Sequence, residues 1–208
     1  MKRYVLIAGE TSGDIYGSSL IKSLKKKHGE DEVSFWGIGG AKMLQAGLFP
    51  LENINNISVV GFTEVLKKAP YMFTLLNRLV NFINEINPVN LILIDFPGFN
   101  IRLAKKVKLM SKGKINISYF VSPQIWAWNE KRVLLIKKYI DQMLVIFPFE
   151  KSFYKKFDVD VFYVGHPFLD DWVPSKILDL KIKLGINDKK KLLGIFPGSR
   201  LSEIKRHL

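Results

Sequence analysis

The chain has 208 residues, 48% of them hydrophobic, enough for one full core and part of a second, which excludes a disordered chain. It has no cysteine, which excludes disulfides and thiolate metal sites, and no stretch reaches the roughly 18 uninterrupted apolar residues of a spanning helix. Thirty-two Lys and Arg against 19 Asp and Glu give a net charge of +13, which fits an anionic partner and equally fits a lysine-rich composition with no such partner.

The opening "MKRYVLIAG" carries too short an apolar run for a signal peptide, so a cytoplasmic location is expected. From there, apolar β-rich runs alternate with helix-period segments. The runs are "RYVLIA", "VSFWGI", "NLILID", "INISYFV", "QMLVIF", "VFYVG" and, last, "KLLGIF". Strands that are apolar throughout and separated by helices predict a doubly wound α/β domain with a parallel sheet covered on both faces. Ligands then bind beyond the carboxyl ends of the strands. We expect this domain over residues 1–168, a linker over 169–190, and the first βα unit of a second, incomplete Rossmann-like domain over 191–208.

The strand exits carry the candidate site. The first is "GETSGD", with Gly9, Glu10, Ser12, Gly13 and Asp14, where small residues let helix N-terminal amides approach a ligand. It is neither a G-x-G-x-x-G nor a Walker sequence, and Ser12 or Asp14 as a helix cap explains the loop equally well. "GIGG" is a second glycine-rich exit that a tight turn also explains.

In "LILIDFPGFN", Asp95 ends a wholly apolar strand that Pro97 and Gly98 stop abruptly. Partial burial there raises a carboxyl pKa toward the range of a general base, although an Asp bonding its own turn is the competing reading. Asn100 is expected to cap the following helix. "SPQIWAWNEKR" leaves another strand with Trp126 and Trp128 in what reads as a loop, and "VGHP" places His166 after the last strand of the first domain, more in keeping with structure than catalysis. No second His or carboxylate accompanies His166 at metal-ligand spacing. "IFPGSR" sets Gly198, Ser199 and Arg200 at a helix start, suited to a diphosphate because arginine offers paired donors to phosphate oxygens; a capped helix with a surface arginine is the competing reading.

Residues 71–86 are apolar over an arc of about 200°, wider than a core-facing stripe requires, with Pro70 expected at the helix start. Upstream, "VVGFTEVLKKAP" sets apolar residues beside lysines, a composition suited to an anionic bilayer surface; a helix in a deep core is the competing reading.

Taken in order, "AGETSGDIYG", "GIGG", "VVGFTEVLKKAP", "IDFPGFN", "YFVSPQIWAW", "FPFEKSFY", "VGHP" and "FPGSR" cover nearly the whole chain. In that ordered set the chain resembles the lipid-A-disaccharide synthase family, inverting glycosyltransferases of GT-B fold (glycosyltransferase family 19). Thr11 departs from the family's usual alanine.

The resemblance implies transfer of 2,3-diacylglucosamine from its UDP derivative to 2,3-diacylglucosamine 1-phosphate, releasing UDP, with no metal and no cofactor, at the cytoplasmic face of the inner membrane. It implies Asp95 as the base on the acceptor hydroxyl, and Arg200, Ser199 and Gly198 as donor diphosphate ligands. Gly9, Glu10, Ser12, Gly13, Asp14, Ser122, Gln124 and Trp126 would line the substrate crevice. Membrane contact is expected from Val59, Val60, Phe62, Val65, Leu66, Lys67, Lys68, Met72, Phe73, Leu75, Leu76 and Leu79.

The family's chain continues through the rest of a nucleotide domain of which this sequence carries only the start. Inactivity of the 208 residues alone is expected unless a separately encoded C-terminal half pairs with them, and a homodimer is the other expected association. A non-catalytic lipid-binding or membrane-binding remnant is the alternative. Nucleic acid is not expected, because no helix-turn-helix, RNP or zinc pattern accompanies the charge.

Overall fold

A computed structural model describes residues 1–57, 62–170, 182–186, 191, 193–197 and 204–205; the side chains of residues 62–67 and 128 lie outside that description. Seven strands are seen among the described residues: β1 (Lys2–Ala8), β2 (Val33–Gly39), β3 (Leu48–Asn53), β4 (Asn90–Ile94), β5 (Ile117–Phe120), β6 (Gln142–Val145) and β7 (Val161–Tyr163). They form one parallel sheet in the order β3-β2-β1-β4-β5-β6-β7.

Alternation along each strand feeds two cores. From β1, Tyr4, Leu6 and Ala8 pack with Ile21 of α1 (Thr11–His28) and Met43 of α2 (Ala41–Ala46). Val5 and Ile7 point the other way, into a larger core. It is completed by α3 (Ile54–Ile57), α4 (Phe62–Ile86), α5 (Pro97–Met110), α7 (Val133–Tyr139) and α8 (Pro148–Lys155). Burial on both faces explains why these strands read as continuous apolar runs, and each fully buried Leu or Ile contributes about 1.5–3 kcal/mol.

Four features differ from the sequence reading. β3 was not expected, because "LFPLEN" contains Pro50; it lies at the sheet edge, where a missing N–H removes no interior ladder bond. α4 starts at Phe62 and runs through Pro70, so the proline is internal to the helix and not at its start. The buried stripe of Leu75, Leu76, Leu79, Val80 and Ile83 outweighs the roughly 3 kcal/mol an interior proline removes. Those same burials correct the assignment of Leu75, Leu76 and Leu79 to membrane contact: they are core residues, and Met72 packs against that core. The tryptophan pair sits on a one-turn helix, α6 (Ile125–Trp128), and not in an open loop.

The compact unit of the sheet is Met1–Pro167, and Phe168–Leu208 forms a second. In the second unit, residues 193–196, expected as a strand, carry no strand pairing, and Leu193, Ile195 and Phe196 are exposed. No helix among the described residues is long and apolar enough to cross a membrane.

Candidate active site

The strand order reverses direction between β1 and β4, which are paired with Ala8 opposite Ile94. That reversal is the topological switch point, where open α/β sheets bind ligands. Glu10 leaves β1 and Asp95 leaves β4 at this place, so the sheet brings two carboxylates from distant parts of the sequence to one crevice.

Gly9 is buried, and a Cβ on it would lie 2.2 Å from Cγ of the Phe96 ring. Only glycine lets Phe96 close over the β1 exit. Glu10 is the extended N-cap residue of α1, with no side-chain cap bond, and Ser12 is exposed in the first turn. Gly13 is buried against Ala8, 3.1 Å from where its own Cβ would stand.

Asp14 is turned elsewhere. Its Oδ1 accepts the amides of Gly40 at 2.8 Å and Met43 at 2.9 Å, and its Oδ2 that of Lys42 at 3.1 Å. These amides belong to the start of α2, so the carboxylate caps a neighbouring helix and holds the "GIGG" exit. Its oxygens are thereby committed to the protein and not to substrate hydroxyls.

Asp95 and Phe96 adopt left-handed backbone conformations, φ 45° and 52°, consecutively. Burial pushes the Asp95 carboxyl up to about 6, with Glu10 repulsion adding to it and a bond from the Phe96 amide opposing it. Asn100, expected as a helix cap, is instead fully buried inside α5, and its Nδ2 donates to the Asp95 main-chain oxygen at 2.7 Å. Phe96 is the residue that precedes the helix, because Pro97 occupies its first turn. Tyr119 of β5 donates its hydroxyl to the same Asp95 oxygen at 2.5 Å.

An aromatic wall continues from the switch point. Tyr16 of α1 meets Phe120 edge-on at 6.4 Å and His166 at 6.1 Å, and His166 tilts against Phe147 at 5.7 Å. Burial and then Asp95 raise the Tyr16 phenol above its ordinary pKa, which places Tyr16 within electrostatic reach of Asp95.

The β5 exit behaves differently from the sequence expectation. Ser122 is buried, with its Oγ 2.7 Å from the Tyr154 hydroxyl, so it links α8 to the sheet and does not face the crevice. Gln124 is exposed at the start of α6. Trp126 is half-buried, packs against the larger core and meets Phe149 edge-on at 5.1 Å.

Val59 and Val60 lie outside the described residues, as do the side chains of Phe62, Val65, Leu66 and Lys67; Gly198, Ser199 and Arg200 also lie outside them. Among the described residues no group of three or more His, Cys, Asp or Glu is placed to hold a metal ion.

The site residues that sequence reasoning missed are Tyr16, Phe96, Asn100 and Tyr119. Tyr119 carried a signal: a hydroxyl in a strand buried on both faces must find a partner. Phe96 carried none, since the residue before a proline is ordinarily extended and not left-handed.

Known proteins share this fold and sequence. In fold, residues over 82% of the chain match a UDP-GlcNAc 2-epimerase from Neisseria meningitidis, at TM-score 0.55, 9% identity and 47% of that chain. The corresponding enzyme of Methanocaldococcus jannaschii matches 82% of the chain at TM-score 0.52 and 14% identity, covering 47% of its own chain.

In sequence, the chain is 42% identical over its full length to the lipid-A-disaccharide synthase of Trichlorobacter lovleyi, covering 53% of that protein. It is 38% identical over 99% of its length to that of Myxococcus xanthus, again covering 53%. The chain thus spans about half the length of the curated relatives it matches. The lipid-A-disaccharide synthetase family model matches residues 4–208, and on these grounds the chain belongs to the lipid-A-disaccharide synthase family.

Proposed function

We propose that this chain forms the acceptor side of an inverting glycosyltransferase. The enzyme moves 2,3-diacylglucosamine from its UDP derivative to 2,3-diacylglucosamine 1-phosphate, making the β-1,6-linked lipid A disaccharide. The observation that carries this reading is Asp95 at the switch point with a carboxyl raised to about 6. A base of that strength is ionised at neutral pH and still basic enough to accept a proton from an attacking alcohol.

In the step, the acceptor hydroxyl oxygen bonds to the anomeric carbon while its proton passes to Asp95. The bond from that carbon to the diphosphate oxygen breaks, and UDP leaves with the electron pair. Arg200, with Ser199 and Gly198, stabilises the charge on the leaving diphosphate. Gly9, Glu10, Ser12 and Gly13 flank the acceptor sugar beside Asp95, and the exposed Gln124 and the accessible edge of Trp126 stand farther along the strand ends.

The acyl chains place the reaction at the cytoplasmic face of the inner membrane. Exposed Phe73, with the Lys106 ammonium 4.9 Å from its ring centre, offers an apolar group beside a cation on that surface; Lys68, on the same helix, donates to the Asn56 carbonyl at 3.0 Å.

The test is a chimera of this chain followed by the second half of the T. lovleyi relative, assayed with labelled UDP-diacylglucosamine. Disaccharide is the expected product, with Asp95→Asn slowing its formation by about 100-fold or more. A folded chimera that makes no disaccharide, or an Asp95→Asn variant at full rate, overturns the proposal.

A further inference from the structure

We propose that Asn100 and Tyr119 are positioning residues that hold the main-chain carbonyl of Asp95 and so fix the direction of its side chain at the switch point. The inference deepens the reading of Asp95 as acceptor base and rests on it.

Asp95 at φ 45° and Phe96 at φ 52° are two consecutive non-glycine residues in the left-handed region, where a Cβ crowds the backbone. Such an arch persists only where its surroundings over-determine it. Here the surroundings are visible on every side. The Asp95 amide donates to the Phe120 carbonyl at 3.2 Å. Its carbonyl takes no part in the ladder of α5, because the first amides of that helix, Phe99 and Asn100, donate to the Phe96 oxygen at 3.2 and 3.0 Å. The Asp95 oxygen is left to two buried side chains, Asn100 Nδ2 at 2.7 Å and Tyr119 Oη at 2.5 Å.

Neither side chain serves the element that carries it. Asparagine is a poor interior helix residue, and Asn100 is fully buried between Phe99 and Ile101 in a helix that otherwise buries apolar groups. Tyr119 places a hydroxyl in the middle of a covered sheet, and burial keeps its phenol protonated, and therefore a donor, well past its ordinary range. From the opposite side the Phe96 ring occupies the space that a Gly9 Cβ would need. The arch is thus held from β5, α5 and β1 together; the Asn100 amide also reaches the Ile7 and Ile94 carbonyls, each at 3.4 Å, and its shortest bond, 2.7 Å, is the one to Asp95, which Tyr119 shares.

A carboxylate held this way is kept partly out of water. Release of the carbonyl lets the arch relax and the carboxylate hydrate, which lowers its pKa. The titrating groups that face it are Glu10 from the β1 exit, Tyr16 from α1 and Tyr119 from β5.

The experiment is a carbon-detected NMR titration of the purified 208-residue chain labelled at aspartate carboxyls, with Asp95 assigned by loss of its signal in Asp95→Asn. Tyr119→Phe removes one oxygen and Asn100→Ala removes the amide, and the double variant is expected to lower the Asp95 pKa by about one unit or more. A fall in the single variants supports the proposal; an unchanged or raised Asp95 pKa in variants with native amide spectra overturns it. Should Asn100→Ala not fold, Tyr119→Phe decides alone. The titration needs no substrate. Failure of the transfer reading appears as a chimera without product, whereas failure of the positioning proposal appears as an unmoved titration.

Discussion

The carboxylate of Asp14 lies 2.8 Å from the amide of Gly40 and ties the first helix to the loop that follows the second strand. Three amides share its two oxygens, so Asp14→Ala leaves buried N–H groups of the α2 start without acceptors. We expect a loss of about 1–3 kcal/mol in urea unfolding, with Asp14→Asn recovering only part, because an amide offers one acceptor oxygen where the carboxylate offers two.

Gly9 makes a second, sterically sharper prediction. Three atoms of the Phe96 ring lie within 2.6 Å of the position a Cβ would take, so Gly9→Ala forces the ring, and the left-handed arch beneath it, to move. Overpacking of this kind costs about 1–3 kcal/mol. Denaturant unfolding measures it, and combining Gly9→Ala with Phe96→Ala is expected to recover part of the loss by opening the space.

Asp95 predicts a pH dependence whose sign follows from its raised value. An acid whose folded pKa lies above its unfolded one binds its proton more tightly when folded. Its contribution to stability is therefore present below about 3.8 and is lost as pH rises through about 6. Relative to Asp95→Asn, the wild-type chain should lose on the order of 2 kcal/mol between these values, measured as the difference of two urea midpoint series. Transfer by the chimera runs the opposite way and rises with pH through the same window, because the base must be ionised. A difference series that is flat from pH 4 to 7 would sink the buried-carboxyl account.

Much of this architecture was legible in the sequence, for one reason. Strands buried on both faces, such as "RYVLIA" and "NLILI", read as unbroken apolar runs, and Gly or Asp punctuation marks their exits. Asp95 was therefore visible. What escaped was whatever depends on side chains crossing between elements. Asp14 reads as a cap of its own helix, yet its partners lie 26 to 29 residues onward. Ser122 reads as a crevice residue until Tyr154, 32 residues away, is seen to bond it. The edge strand β3 was hidden by Pro50, and the width of the apolar arc on α4 suggested exposure where depth of burial was the cause.

Trp126 separates packing from chemistry. Its indole nitrogen is buried with no hydrogen-bond partner, so the ring contributes through area and through its edge-on contact with Phe149. Trp126→Phe should cost only about 1 kcal/mol, whereas Trp126→Ala should cost about 3–5 kcal/mol by opening a cavity. Thermal unfolding checks both. The chimera's rate adds the functional arm: a crevice role for the accessible edge predicts that Trp126→Phe slows transfer far more than its stability change explains.

α4 offers the last prediction, because its apolar residues divide by exposure. Leu75, Leu76 and Leu79 are buried in the larger core, whereas Phe73 on the same helix is 60% exposed under the Lys106 ammonium. If this face meets lipid, Phe73→Asp should weaken flotation with vesicles containing anionic lipid while leaving the melting temperature nearly unchanged, since an exposed ring contributes little to the fold. Lys106→Glu should weaken it as well, and more so at low salt, where the attraction between lysine and lipid phosphate is least screened. Leu76→Ala should do the reverse, lowering stability by about 2–5 kcal/mol with vesicle binding intact in the fraction that remains folded. Equal flotation of wild type and Phe73→Asp would remove this helix from the membrane surface and leave its apolar arc wholly to the core.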